Sequence, residues 1–196
     1  MLIVRHRVNS LEELIQVPSK YGVEIDLRTK NNNIILNHDP FKSGELFSDW
    51  IKEYKHKLLI LNVKEDGLEE KVIKTLDDYK ISNYLFLDQP IPSQVKYFRS
   101  KSYKSLVRYS EYEKLTMLKI NEGKKFIWVD SFHSLSFSDE FLNIYNKDQL
   151  NIVIVSPELQ GRKKEEIIKM QDVIKRNEIK VYAVCTKYPH LWSDSL

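Results

Sequence analysis

Short β-branched and aromatic runs recur along this chain, each closed by a polar turn, and amphipathic stretches lie between most of them. The runs are LIVRH (2–6), VEIDL (23–27), NIILNH (33–38), LLILNVK (58–64), YLFLD (84–88), SLVRY (105–109), FIWVD (126–130), NIVIV (151–155) and VYAVC (181–185). Three of the stretches between them carry a helical signature. SLEELIQV opens on Ser10 with Glu13 three residues on, the pattern of a capping box. GLEEKVIKTLDDYK places Leu68, Val72, Thr75, Leu76 and Tyr79 on one stripe, and GRKKEEIIKMQDVIKRNEI does the same with Ile167, Ile168, Met170 and Ile174. Strands that alternate with helices pair in parallel through right-handed crossovers.

NIILNH departs from the rhythm. It follows VEIDL after only RTKNN, so it is expected to extend that strand as a β-hairpin. Eight strands remain in the series, the number that closes a (β/α)8 barrel. The 196 residues sit at the lower end of the size range of such barrels, about 200 residues. The expectation is therefore α/β: a minimal (β/α)8 TIM-type barrel with a hairpin after its second strand. It would be one domain over 1–196, with no helix after the last strand. An open doubly wound sheet is the alternative, but no glycine-rich turn follows the first strand.

Composition narrows the function classes. At 42% hydrophobic and 30% charged residues, the chain can bury a core. A net charge of +3 suits a small anionic substrate and lacks the clustered basic stripe of a nucleic-acid binder. The single cysteine, Cys185, excludes an internal disulfide, fits a reducing compartment and reads as a small buried hydrophobe. The first apolar run precedes its arginines, the wrong order for a signal peptide, and no apolar stretch nears the roughly 18 residues of a membrane span. A soluble cytoplasmic protein with no transmembrane segment is expected. The abundance of lysine, asparagine and isoleucine fits an AT-rich bacterial genome.

The chemistry concentrates in VEIDLRTKNNNIILNHDP (23–40). Residues two apart in a strand share a face, so Glu24 and Asp26 point together while Val23, Ile25 and Leu27 point the other way. In a barrel the carboxylates would face the lumen near its C-terminal mouth, where active sites lie. Two carboxylates on one rigid strand suit a hard divalent cation, Mg2+ or Ca2+. Asn62 and Lys64 repeat the geometry on a later strand, with a neutral oxygen ligand and a fixed positive charge. His6 and His38 end their strands and could act as base or nucleophile and as acid. Arg7 and Lys64 could hold a phosphate, whose transition state needs charge stabilisation.

IVRHR followed by NSLEEL, then GVEIDLR, ILNHDP and LNVK resembles the glycerophosphodiester phosphodiesterase family, with its relatives the phosphatidylinositol-specific phospholipases C and the sphingomyelinase D-type phospholipases. The resemblance covers the first third of the chain and implies a TIM-type barrel. It implies that His6 and His38 are the catalytic pair, that Glu24 and Asp26 bind metal, and that Arg7 and Lys64 contact phosphate. The chain departs from the family pattern in three places: Val8 stands where glycine is usual, Asn62 stands in place of a third acidic ligand, and the insertion after His-Asp is short.

Asp88, Arg108, Asp130 and Glu158 also fall at C-terminal strand ends, with Arg108 the best placed to hold an anion. Trp128 shares a face with Asp130 and either stacks on a head group or fills the core. His56 and His133 read as surface or loop residues. The run GRKKEE (161–166) reads as an exposed helix start or as part of a phosphate grip. The sequence thus points to a metal-dependent phosphodiesterase acting on a small phosphodiester of glycerol, a sugar or a lipid head group. The alternatives are a non-catalytic barrel that binds a phosphorylated ligand, a metal-free phospholipase C or lyase-type site, and a transferase acting on a glycan phosphate.

Overall fold

The computed structural model describes residues 1–98, 104–113, 125–135, 137–148 and 150–192. It shows a mixed α/β fold with two compact units, Arg5–Ser105 and Met1–Val4 with Leu106–Leu196. The first strand, β1, is Leu2–Arg5.

The unit Arg5–Ser105 begins with α1 (Leu11–Gln16). The expected capping box is formed: Ser10 Oγ accepts the Glu13 N–H at 3.2 Å, and the Glu13 carboxylate accepts the Ser10 N–H at 3.1 Å. β2 (Gly22–Lys30) outruns the predicted 23–27 because its second half pairs antiparallel with β3 (Asn33–Leu36), from Leu27↔Leu36 to Lys30↔Asn33. The two residues between them, Asn31 and Asn32, have φ of 50° and 62°, as a two-residue turn between twisted strands requires. β4 (Glu45–Leu46) adds two residues beside β3, and its Glu45 carboxylate accepts the Leu11 N–H at 2.7 Å, which anchors the start of α1. The short helix α2 (Phe47–Trp50) leads to β5 (Leu59–Val63), then α3 (Glu69–Asp78), β6 (Tyr84–Leu87) and α4 (Ile91–Phe98).

The first half of β2 pairs in parallel with β5, and β5 with β6. One face of these strands supplies Val23, Ile25, Leu27, Leu59, Leu61 and Val63 to a core shared with Leu14 and Val17 at α1 and with Val72 and Leu76 of α3. Each such side chain stabilises the fold by about 1.5–3 kcal/mol. Tyr79, expected on the α3 stripe, is exposed because the helix ends at Asp78. The opposite face is left for Glu24, Asp26 and Asn62, with Asp26 in register beside Asn62.

In the second unit, β7 (Leu106–Tyr109), β8 (Phe126–Val129), β9 (Asn151–Val155) and β10 (Val181–Thr186) pair in parallel in that order, and β1 neighbours β10. Helices α5 (Asp139–Asp148) and α6 (Glu166–Arg176) connect β8 to β9 and β9 to β10. Helix α6 starts later than the sequence suggests. Arg162 folds back to bond Glu166 Oε2 at 2.9 Å and Ser131 Oγ at 3.1 Å instead of lying on an exposed first turn. Ile168 is exposed; the buried stripe runs through Ile167, Met170, Gln171 and Ile174, and Gln171 donates to the Leu191 carbonyl at 2.8 Å. Cys185 is buried in β10. A 3₁₀ turn at Pro189–Leu191 follows the last strand. Among the described residues, no helix is long and apolar enough to cross a membrane.

Candidate active site

Glu24 and Asp26 are both almost wholly buried on the face of β2 that turns away from the apolar core. A buried carboxylate is costly unless donors and charges surround it, and here they do. The turn after β1 supplies the first set. Arg7 has φ of 52°, a left-handed conformation that aims its N–H at Glu24 Oε2, 2.8 Å away. The His6 Nε2 atom lies 3.9 Å from Glu24 Oε2, and the Arg7 Nε atom 3.8 Å from Asp26 Oδ2. Asn9 meets Asp26 through two hydrogen bonds, and sequence reasoning missed it.

The second set comes from β5 and β6. Asn62 Nδ2 donates to Glu24 Oε1 at 3.0 Å. Lys64, just past β5, holds its ammonium 3.5 Å from Asp26 Oδ1 and 3.2 Å from Asp88 Oδ2. Asp88 follows β6 with φ of 62°, so the turn itself swings that carboxylate toward Lys64. Burial, followed by the neighbouring Asp26 charge, pushes the Glu24 carboxyl up to about 7, although the Arg7 and Asn62 donors and Lys64 pull it down.

His38 follows β3. Its Nδ1 atom is 2.9 Å from Asp39 Oδ1, and this hydrogen bond holds the Asp39 carboxyl below its usual range. Arg28 ties the backbone of this loop to the rest of the site, donating to the His38 carbonyl at 3.1 Å and to the Lys64 carbonyl at 3.3 Å. Sequence reasoning passed over Arg28 too, although it continues the two-residue step of Glu24 and Asp26. A cavity of about 680 Å³ opens beside His38, lined by Asn9, Ser10, Leu36, Asn37 and Glu45 among others. That volume suits a small ligand.

Arg108, Trp128, Asp130, His133 and Glu158 lie in the second unit. Arg108 pairs with Asp130 and lies 3.4 Å from Glu113 Oε2 through its Nε atom. Asp130 also accepts a hydrogen bond from Gln160. Glu158 accepts from Ser156, from Thr186 Oγ1 at 2.6 Å and from the Lys187 N–H at 2.9 Å, an anchoring role between loop and strand. Trp128 is buried in β8, which favours its core reading. His133 is exposed and meets the Tyr112 hydroxyl at 2.7 Å. His56, expected at the surface, is instead partly buried, with Nε2 2.9 Å from the Val17 carbonyl and its ring against Tyr54.

The donor set can be tested against the divalent cation that the resemblance implies. Both Glu24 oxygens and Asp26 Oδ2 already accept N–H donors, and Asp26 Oδ1 faces the Lys64 ammonium. Asn62 Oδ1 is buried and accepts no hydrogen bond. Ca2+ gathers six to eight oxygens, and Mg2+ demands a near-ideal octahedron. Among the described residues, no three His, Cys, Asp or Glu side chains gather in a metal-holding group. As they stand, these residues do not fit a hard divalent cation.

No family model matches the sequence, and no curated protein matches it. Solved structures do. A glycerophosphoryl diester phosphodiesterase from Parabacteroides distasonis superposes with a TM-score of 0.67 at 15% identity, covering 99% of this chain and 85% of the other. A protein from Agrobacterium tumefaciens, provisionally named a glycerophosphoryl diester phosphodiesterase, gives 0.66 at 13% identity, covering 97% of this chain and 94% of the other. The chain shares the fold of the glycerophosphoryl diester phosphodiesterases.

Proposed function

We propose that the chain is a phosphoric diester hydrolase built as a minimal (β/α)8 barrel, cleaving a small phosphodiester at the Glu24–Asp26 site. The observation that carries this reading is the ring of His6, Arg7, Asn62 and Lys64 around two buried carboxylates in the first half of β2. The shared fold supports it, since both neighbours bear the name of that activity.

In this reading, Arg7 and Lys64 hold the non-bridging oxygens of the phosphate and take up the negative charge that grows as phosphorus is attacked. One imidazole takes the proton of the attacking hydroxyl, and the other gives a proton to the departing alkoxide, so no free alkoxide forms. His38 suits the second role. Asp39 bonds its Nδ1 side and fixes the ring, and the cavity beside it receives the leaving alcohol. The attacking hydroxyl is water or a neighbouring hydroxyl of the substrate, giving a monoester directly or by way of a cyclic phosphate.

The test is turnover of bis(p-nitrophenyl) phosphate and a panel of glycerophosphodiesters by wild type, His6→Ala and His38→Ala. The reading expects a loss of about 10²–10⁴-fold in kcat for each variant with the fold intact. Full activity in either variant removes that histidine from the reaction. Tight binding of the diesters without turnover in the wild type would instead favour a binding module.

A further inference from the structure

We infer that the Lys64 ammonium is the resident cation of the Glu24–Asp26 site, and that the site works without a divalent metal. The inference rests on the phosphodiesterase reading for its chemistry, but its physical basis is independent of turnover. The amide of Asn62 is the first ground. Its Nδ2 group faces Glu24 Oε1 at 3.0 Å. Turning the amide over would set oxygen against carboxylate oxygen, so the N–H donor is the orientation the charges select. The Asn62 N–H thus occupies the Glu24 Oε1 lone pair that a metal at this carboxylate would need.

The placement of Lys64 is the second ground. Its side chain is only 16% exposed, and its head lies between Asp26 at 3.5 Å and Asp88 at 3.2 Å. It already supplies the counter-charge that a metal would bring. A dication entering beside Asp26 would meet this ammonium and, on the other side, the Arg7 guanidinium at 3.8 Å. An ammonium has three N–H donors. With two sides of the head turned to carboxylates, the third remains for a phosphate oxygen.

The experiment is calorimetric titration and thermal unfolding of metal-stripped protein with MgCl2, CaCl2 and MnCl2. Wild type should show no saturable uptake and an unchanged melting temperature. Asn62→Asp is nearly isosteric, deletes the donor to Glu24 and adds a third carboxylate. It should melt lower in chelator and recover saturably with CaCl2 or MnCl2. Uptake of one equivalent by wild type, lost in Asn62→Ala, overturns the inference. If Asn62→Asp fails to fold, the wild-type titration decides alone. Turnover of the diester panel separates the two claims. Metal uptake with metal-dependent turnover overturns only the present inference. No uptake and no turnover leaves Lys64 as the cation and removes the phosphodiesterase reading.

Discussion

Asn9 and Asp26 bind each other twice: Asn9 Nδ2 donates to Asp26 Oδ2 at 2.8 Å, and the Asp26 N–H donates to Asn9 Oδ1 at 2.8 Å. The pair fastens the loop before α1 to the buried floor of the site. Asn9→Ala leaves a buried carboxylate oxygen and a strand N–H without these partners. It should destabilise the protein by about 2–4 kcal/mol, since hydrogen bonds to charged groups contribute more than neutral ones. Urea unfolding checks this, and a midpoint equal to that of wild type would show that water replaces both bonds.

The raised carboxyl of Glu24 gives stability a pH dependence with a defined sign. A group whose folded value of about 7 exceeds its ordinary value of 4.5 binds its proton more tightly in the folded state. Its contribution is complete below about 4.5 and is lost as pH rises through 7. The slope is at most about 1.4 kcal/mol per pH unit for one proton. Glu24→Gln removes this titration. The difference in unfolding free energy between wild type and Glu24→Gln should therefore move against wild type as pH rises through that window. A constant difference would place the Glu24 titration at an ordinary value.

Arg7 carries two functions on one residue, a left-handed turn and a positive side chain. Glycine adopts that backbone conformation freely but has more chain entropy to lose on folding. The two effects nearly cancel, so Arg7→Gly should leave the melting temperature close to wild type. The missing guanidinium should lower kcat/KM for a phosphodiester by about tenfold, the equivalent of one exposed charge-assisted contact. Steady-state kinetics beside thermal unfolding separates the two functions. Arg7→Ala, which keeps the strain, should be the less stable of the two variants.

Gly44 is needed for a close approach. A Cβ atom there would stand 2.1 Å from the Leu36 carbonyl oxygen, on the backbone that leads into His38. Gly44→Ala must push the two segments apart, at a cost of about 1–3 kcal/mol. Asn37 Nδ2 bonds the Ser43 carbonyl at 2.7 Å, so the shift should carry into the His38 loop and lower kcat as well as stability. Unchanged kcat in a destabilised variant would show that the loop holds His38 without this contact.

Much of this was legible in the sequence, and the rest was not for identifiable reasons. The strand rhythm was readable because β-branched runs bounded by polar turns leave few other options. Glu24 and Asp26 stood out because charge in an apolar run demands an explanation. Asn9 was invisible because a single asparagine beside a helix cap carries no period and finds its partner seventeen positions away. Helices α4 and α5 carry weaker apolar stripes than α3 and α6 and were not singled out. Ile168 was assigned to the buried stripe of α6 because composition alone does not reveal that Gln171, a polar residue, occupies the core position. Arg108, Asp130 and Glu158 fall near strand ends as expected, but the pairing of Arg108 with Asp130 and the bond of Glu158 to Thr186 join distant segments that no periodicity links.

The most direct measurement is a ³¹P NMR time course with a glycerophosphodiester, comparing wild type with His38→Gln, which keeps the side-chain volume near the original. The account predicts that wild type converts the diester resonance to a monoester, directly or through a cyclic phosphate, while His38→Gln leaves the diester essentially intact. Conversion at equal rates by both proteins would contradict a reaction in which His38 delivers the proton to the leaving group.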